Sequence, residues 1–225
     1  TTTGGGVNID SSGSFIMYGG SITGNEASGN GGGVNVSAYR NFTMYGGSIT
    51  NNIASGKGGG VNVGGTMTVG GGAQITGNGG SNVYLPSGKT IIIGTKGLSS
   101  SANIGVTMGK VLNQGEYVSI AKGASDDYTL TADDLAAFSS DTGYTKYELD
   151  NAVIFSNGEL HMHGECGTAG CTHTLHEDVL WTAVGTEAEL RAITGGTDTQ
   201  YYYLTNNIEL NDTSWNPTGR IALCL

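Results

Sequence analysis

Positively charged residues are scarce in this sequence of 225 residues. Lys and Arg number 9 against 19 Asp and Glu, and the formal net charge is -10. Binding to phosphate groups needs clustered cations, so this balance argues against nucleic acid as a partner. Charged residues make up only 12% of the chain. No apolar run has membrane-spanning length, so we expect no membrane insertion.

Proline and cysteine are also rare, with 2 and 3 residues, whereas glycine reaches 41. The glycines recur at fixed places, which disorder would not require. The motif GGGVN begins at residues 4, 31 and 58, in two steps of 27. A second motif, read as SITGN, SITNN and QITGN, ends at Asn25, Asn52 and Asn78. The chain therefore contains a repeat of about 27 residues, with a shortened fourth copy at 79–94.

Apolar and polar residues alternate within each repeat, a period of two that is typical of β-strands. Equivalent apolar side chains form three columns: Val7, Val34, Val61 and Val83; Met17, Met44 and Val69; Ile22, Ile49 and Ile75. One repeat cannot bury its own apolar face, so repeats must stack and let like columns meet. This predicts an all-β parallel β-helix over residues 1–110, with two or three short strands per coil and glycine-rich corners.

The stretch GGGVNV…FTMYGGSITNNIASGKGGGVNV resembles the pectate-lyase-like β-helix repeats of large adhesin-like cell-surface proteins from gut bacteria of the Firmicutes type. The resemblance covers residues 1 to about 110. It implies a right-handed parallel β-helix and an extracellular or cell-wall-attached location in a bacterium. Such repeats serve adhesins and enzymes alike, so the resemblance is more specific for fold than for activity.

Beyond residue 104 the 27-residue rhythm is lost. A solenoid end needs a cap, and we assign this role to residues 111–162, with a short helix at 131–138. Thr131 suits the N-cap of that helix. The acidic pairs Asp126/Asp127 and Asp133/Asp134 are interpreted as solvated turn and helix-start residues.

Residues 163–185 are predicted to be a Cys/His linker, and residues 186–225 the N-terminal cap and first strands of a second, truncated β-helix. Thr186 and Glu189 have the spacing of a capping box at the start of a short helix. Both ends of the sequence look cut, so we expect the chain to continue into further domains.

The linker contains the most chemically reactive cluster of the sequence. Cys166, Cys171, His173 and His176 have the spacing C-x4-C-x-H-x2-H, which could place two thiolates and two imidazoles around one zinc ion. A disulfide between Cys166 and Cys171, suited to an extracellular protein, explains the same cysteines. Solvated side chains without either bond are the third reading.

Outward-facing polar and aromatic residues also recur from coil to coil. We predict four outward columns: Asn8, Asn35 and Asn62; Asn25, Asn52 and Asn78 at a corner; Thr23, Thr50 and Thr76; and the pair Tyr18 and Tyr45. Stacked asparagine amides stabilise stacked strands by hydrogen bonding along the column, so a structural role is the first reading. A flat face of threonines and asparagines could also contact glycans or ice, and the paired tyrosines could stack on sugar rings.

These features favour a non-catalytic structural or adhesive rod of a bacterial surface protein, with glycans or host surface proteins as candidate partners. A polysaccharide lyase or hydrolase of pectate-lyase-like fold is the alternative, and a spacer without a ligand is the second alternative. Glycosidic chemistry needs clustered carboxylates. The only carboxylate side chains within residues 1–110 are those of Asp10 and Glu26, which does not favour the enzyme alternative.

Overall fold

The computed structural model describes residues 3–113, 116–157, 160–162, 180–193, 200–204, 208 and 221–224. The chain divides into two compact units, residues 1–157 and 158–225. The first unit is a parallel β-solenoid of about four coils, which confirms the predicted fold.

Each of the first two coils consists of four short strands. Coil 1 contains β1 (Val7–Ile9), β2 (Ser14–Met17), β3 (Ser21–Thr23) and β4 (Glu26–Ala27). Coil 2 contains β5 (Val34–Val36), β6 (Asn41–Met44), β7 (Ser48–Thr50) and β8 (Ile53–Ala54). The sequence predicted two or three strands per coil. The additional strand in each of these two coils is the short one at the corner, where β4 pairs with β8.

Coils 3 and 4 have three strands each. Coil 3 contains β9 (Val61–Val63), β10 (Thr66–Gly71) and β11 (Gln74–Ile75). Coil 4 contains β12 (Val83–Leu85), β13 (Ile91–Leu98) and β14 (Asn103–Met108). Equivalent residues pair in parallel across coils, as in Val7 with Val34 and Ile22 with Ile49. The register of the strands is therefore the register of the sequence repeat.

The predicted apolar columns form one continuous core. Val34, Met44 and Ile49 are completely buried, whereas Phe15 and Ile22 of coil 1 are only partly buried. Coil 1 is less covered because a described coil packs against only one of its sides. Complete burial of one such side chain contributes about 1.5–3 kcal/mol to folding, and the contribution recurs in every coil.

The glycine-rich corners require glycine for two separate reasons. Gly31 has a φ of +70°, and a Cβ there would lie 2.5 Å from the carbonyl oxygen of Val34. At Gly32 a Cβ would lie 2.4 Å from the carbonyl oxygen of Gly59 in the next coil. The first glycine allows the turn, and the second allows adjacent coils to approach closely.

Coil 4 departs from the repeat in two places. Val69 of β10 pairs with Ile93, and Gly71 pairs with Leu98, so one residue of β10 faces a bulge of four residues, 94–97, in β13. Further on, β14 pairs first with β11 and then with β12. Only Gly105 lies between these two pairings, where earlier coils insert a long corner. The chain thus shortens the corner at the point where the 27-residue rhythm ends.

The β-rich cap contains one helix, as predicted. Its elements are β15 (Tyr117–Gly123), α1 (Ala132–Ala137), β16 (Phe138–Ser140), β17 (Thr145–Leu149) and β18 (Ala152–Ser156). β15 and β16 extend the two sheets in parallel, whereas β18 pairs antiparallel with β15 and with β17. Thr131 caps α1 in a capping box with Asp134. The antiparallel hairpin of β17 and β18 ends the parallel stacking of the sheet that contains β13 and β15.

The second unit includes β19 (Leu160–Met162), β20 (Leu180–Val184), α2 (Glu187–Ala192), β21 (Gln200–Leu204) and β22 (Ile221–Cys224). β19 pairs antiparallel with β20, so it groups with this unit although the predicted cap extended to residue 162. β20, β21 and β22 are parallel, and Trp181, Tyr201 and Ala222 pair in steps of 20 and 21 residues.

The start of the second unit follows one prediction closely. The capping box of Thr186 and Glu189 is present at α2, and Val184, Leu190 and Ile193 form a small buried cluster. Growth of these strands into a second β-helix stays a prediction. Neither of the described helices, each of six residues, is long and apolar enough to cross a membrane.

Candidate binding cleft and surface ladders

The asparagines at positions 8, 35 and 62 form an outer ladder on the first column of strands. Asn62 Nδ2 donates to Asn35 Oδ1 at 2.9 Å, and Asn35 Nδ2 donates to Asn8 Oδ1 at 2.9 Å. Asn35 is only 6% exposed, because its neighbours in the ladder cover it from both sides. The amides of the outer ladder are thus engaged with one another. A ligand-binding role for them stays a prediction.

The threonine column is less connected. Thr50 Oγ1 donates to Thr23 Oγ1 at 3.5 Å, while the Thr76 N–H donates to the Ile49 carbonyl at 3.3 Å. Thr23 is exposed, and Thr50 and Thr76 are half-buried. At least part of each of these side chains is therefore accessible at the surface.

A second asparagine ladder lies at the corners of the coils. Its Nδ2 groups donate toward the C-terminal end of the stack, from Asn25 to Asn52 at 2.8 Å and from Asn52 to Asn78 at 3.0 Å. The series continues from Asn78 to Asn82 at 3.1 Å and from Asn82 to Asp141 at 2.7 Å. We call these five residues the corner ladder. The repeat revealed its first three members, but the expectation that Asn52 faces outward is wrong, because its side chain is completely buried. Asn82 and Asp141 lie outside the repeat spacing.

Tyr18 and Tyr45 stack on each other, with ring centroids 5.5 Å apart and planes inclined by 24°. Their exposed fractions are 75% and 40%. Glycine occupies positions 70 and 94 next to them. A Cβ at Gly70 would lie 3.0 Å from Tyr45 Cδ1, and one at Gly94 would lie 3.4 Å from Tyr45 Cε1. The Tyr45 ring therefore lies against backbone that has no side chain.

The tyrosine pair lines a cleft with a volume of about 460 Å³. Its residues are Tyr18, Tyr45, Gly71, Thr95, Lys96, Gly97, Leu98 and Ser99, and we call it the tyrosine cleft. The bulge of β13 supplies Thr95, Lys96 and Gly97. The cleft thus combines aromatic rings, hydroxyl groups and one cation on the surface of the coil stack.

Sequence reasoning found the tyrosines but missed the residues supplied by the bulge. A signal for them exists, because Val69 precedes the next buried isoleucine, Ile75, by six residues, whereas Ile93 precedes Ile104 by eleven. The extra residues of coil 4 could have predicted a bulge. They could not have shown that the bulge lies beside Tyr45.

Asp134 binds the backbone of β13 directly after the bulge. It is completely buried, so the expectation that it is a solvated helix-start residue is wrong. Its Oδ1 accepts the Leu98 N–H at 2.8 Å, and its Oδ2 accepts the Tyr128 hydroxyl at 2.7 Å. Thr131 donates both its N–H and its hydroxyl to Oδ2 at 2.8 Å. Asp126, Asp127 and Asp133 are exposed, as predicted.

These contacts shift two pKa values in opposite directions. Burial by itself raises the pKa of Asp134, but the hydrogen bonds from Leu98, Thr131 and Tyr128 outweigh it and leave the pKa below its ordinary value. Burial and the hydrogen bond to the Asp134 carboxylate raise the pKa of Tyr128 to about 12. Asp134 is therefore an anion that is fully engaged in structure at neutral pH.

The predicted zinc or disulfide residues Cys166, Cys171, His173 and His176 lie outside the described residues, so both readings stay predictions. Among the residues that are described, no group of three or more His, Cys, Asp or Glu side chains could hold a metal ion.

In comparisons with protein-family models, curated proteins and solved structures, the chain finds no match. The assignment of the fold as a parallel β-solenoid therefore rests on the structure alone. The resemblance to adhesin-like, pectate-lyase-like proteins receives no support from a relative.

Proposed function

We propose that this chain is a non-catalytic, adhesive rod of a bacterial extracellular surface protein and that the tyrosine cleft binds glycans. The observation that carries the proposal is the stacked, exposed Tyr18–Tyr45 pair in a cleft of about 460 Å³. Aromatic faces that remain exposed on a rigid scaffold offer apolar area to a sugar ring with little loss of side-chain entropy.

Two further observations support a binding role without catalysis. The Asp134 carboxylate, which lies next to the bulge, has four hydrogen-bond donors and is completely buried, so it cannot act as an acid or base on a sugar. The ladders and the continuous core also favour a scaffold that keeps its shape while a ligand binds and dissociates.

A glycan array tests the proposal with the whole chain. We expect binding that Tyr18→Ala weakens by about tenfold, because one aromatic contact contributes about 0.5–1.5 kcal/mol. Tyr39→Ala is the matched control, since Tyr39 is 92% exposed and does not line the cleft.

Two results would replace the proposal. Release of reducing or unsaturated sugar ends from polysaccharides would favour the lyase or hydrolase alternative. Absence of glycan binding would leave a spacer, or a protein-binding rod if host surface proteins bind in a Tyr18-dependent way.

A further inference from the structure

We infer that the tyrosine cleft selects glycans that carry a carboxylate on a pyranose ring, and that Lys96 binds this carboxylate. The inference rests on the proposed glycan binding and adds the ligand class. Sialic acids and uronic acids share this chemistry.

Lys96 is an exposed cation without a partner in the described part of the chain. It forms no ion pair or hydrogen bond with a described residue, and it lies on the bulge that forms part of the cleft. Several other cations are engaged: Lys57 with Tyr84, Lys110 with Glu116, Lys146 with the Phe138 carbonyl, and Arg191 with Glu187. The charge of Lys96 is therefore available to a ligand.

Lys96 lies on a bulge whose backbone is held in place by hydrogen bonds at its C-terminal end. The strand returns to its pairing at Leu98, whose N–H is bound by the buried Asp134 carboxylate at 2.8 Å. Ser99 donates its N–H to the Gly71 carbonyl at 2.9 Å. The segment from Thr95 to Ser99 is thus anchored at its C-terminal end, while the Lys96 side chain remains exposed.

The other groups in the cleft match the remaining parts of an acidic sugar. A pyranose ring has an apolar face of C–H groups, which fits the exposed face of Tyr18, and a rim of hydroxyl groups, which the hydroxyls of Thr95 and Ser99 can bind. The carboxylate then needs a cation, and Lys96 is the one cation among the described residues that line this cleft.

The net charge of the chain opposes an anionic ligand at any site that lacks a cation. At a formal net charge of -10, an anionic ligand is repelled by most of the surface and is attracted only next to a local cation. An exposed ion pair of this kind should favour the acidic ligand by about fivefold at low salt. The preference should decrease as salt screens the charges.

The test compares matched ligand pairs that differ in the acidic group. Isothermal titration of the whole chain with 3′-sialyllactose against its sialic acid methyl ester, and with cellobiouronic acid against cellobiose, measures the preference for each source of carboxylate. We expect the acidic member of at least one pair to bind about fivefold more tightly. The pair that shows the preference identifies the source.

Three variants complete the experiment. Lys96→Gln should make the affinities within the preferred pair equal, whereas Lys89→Gln, which removes an exposed lysine outside the cleft, should leave the preference unchanged. Tyr18→Ala should weaken acidic and neutral members alike. Circular dichroism confirms that each variant is folded.

Equal binding of acidic and neutral members by the parent chain would overturn the inference and leave the proposed glycan binding intact. A preference that survives Lys96→Gln would also overturn it. Binding of no sugar on the wider glycan array would overturn the proposed function itself.

Discussion

Among single residues, Asp134 connects the most parts of the structure. It closes the capping box of α1 and accepts the N–H of Leu98 in the strand that carries the bulge. The same carboxylate binds the hydroxyl of Tyr128. One buried anion therefore joins the cap to the coil that contains the tyrosine cleft.

Removal of this carboxylate should destabilise the first unit strongly. Asp134→Ala leaves the N–H groups of Leu98 and Thr131 without their acceptor, and we expect a loss of about 2–4 kcal/mol in the free energy of unfolding. Asp133→Ala is the matched control. Asp133 is exposed on the same helix turn, and its loss should change stability by no more than about 0.5 kcal/mol. Urea unfolding measures both, and equal effects would contradict this account.

The stability of the fold should decrease at both pH extremes, for separate reasons. The pKa of Asp134 is lower in the folded chain, so its contribution is complete above the ordinary carboxyl pKa of about 3.9. It is lost as the pH falls through the folded value. The pKa of Tyr128 is raised to about 12, so its contribution is complete below about pH 10 and is lost as the pH rises toward 12.

Urea unfolding across the pH range tests both limbs. Asp134→Asn should flatten the acid limb relative to the parent, and Tyr128→Phe should flatten the alkaline limb. If Tyr128→Phe leaves the alkaline limb as steep as in the parent, the hydroxyl of Tyr128 does not contribute in this way.

The role of Asp134 could be predicted only in part from the sequence. The spacing of Thr131 and the acids indicated a helix start, and α1 confirms it. The burial of Asp134 depends on Leu98, which lies 36 residues earlier, directly after the bulge that interrupts the repeat. A local pattern contains no information about such a distant partner.

At the level of whole elements, the corner ladder links coils more closely than their strands alone would. Asn52 is completely buried. Its Nδ2 donates to the Ile22 carbonyl at 2.9 Å and the Thr50 carbonyl at 3.0 Å in addition to Asn78. Its Oδ1 accepts two hydrogen bonds from Asn25. Asn52 thus satisfies polar groups of its own coil and of both neighbours.

Position within the corner ladder should determine the effect of a substitution. Asn52→Ala leaves several buried polar groups unpaired and should lower the free energy of unfolding by about 2–4 kcal/mol. Asn25→Ala, at the half-buried first rung, should cost about 1 kcal/mol. Chemical denaturation of the two variants measures the difference. Similar losses for the two variants would contradict the expected dependence on position within the ladder.

The termination of the corner ladder was beyond sequence reasoning. Asn25, Asn52 and Asn78 repeat with the coils, whereas Asp141 lies 59 residues after Asn82 in the sequence. It fits because the corner at Gly105 is shortened, and a Cβ at Gly105 would lie 2.3 Å from Asp141 Oδ1. The repeat predicts what neighbouring coils share, and this contact occurs where they differ.

For the molecule as a whole, the 27-residue register makes each coil a removable module. Deletion of residues 31–57 should bring Val7 opposite Val61 and Asn25 opposite Asn78, because these columns repeat in steps of 27 or 26 residues. We expect a folded, less stable chain, since a solenoid's stability is approximately a sum over coils and their interfaces.

Circular dichroism and thermal unfolding check this expectation. The shortened chain should keep a β-type spectrum and a cooperative transition at a lower temperature. Deletion of residues 31–44, which breaks the register, is the control and should abolish the transition. If both deletions behave alike, the columns do not determine the stacking.

The fold of the first unit was predictable, and the tyrosine cleft was predictable only in part, for the same physical reason. Apolar alternation and equal spacing determine which residues stack. The cleft needs Tyr18 and Tyr45 from the regular coils, together with Thr95 and Lys96 from an irregular bulge. Irregular segments have no repeated counterpart from which their position can be derived.

The two asparagine ladders also differ in direction. Hydrogen bonds of the outer ladder run from Asn62 toward Asn8, whereas those of the corner ladder run from Asn25 toward Asp141. Aligned amide dipoles add along a stack, but here the two series oppose each other. Additional coils of this kind would therefore lengthen the coil stack without accumulating a large electric dipole from its side-chain amides, so that neither end of the stack would gain a growing partial charge.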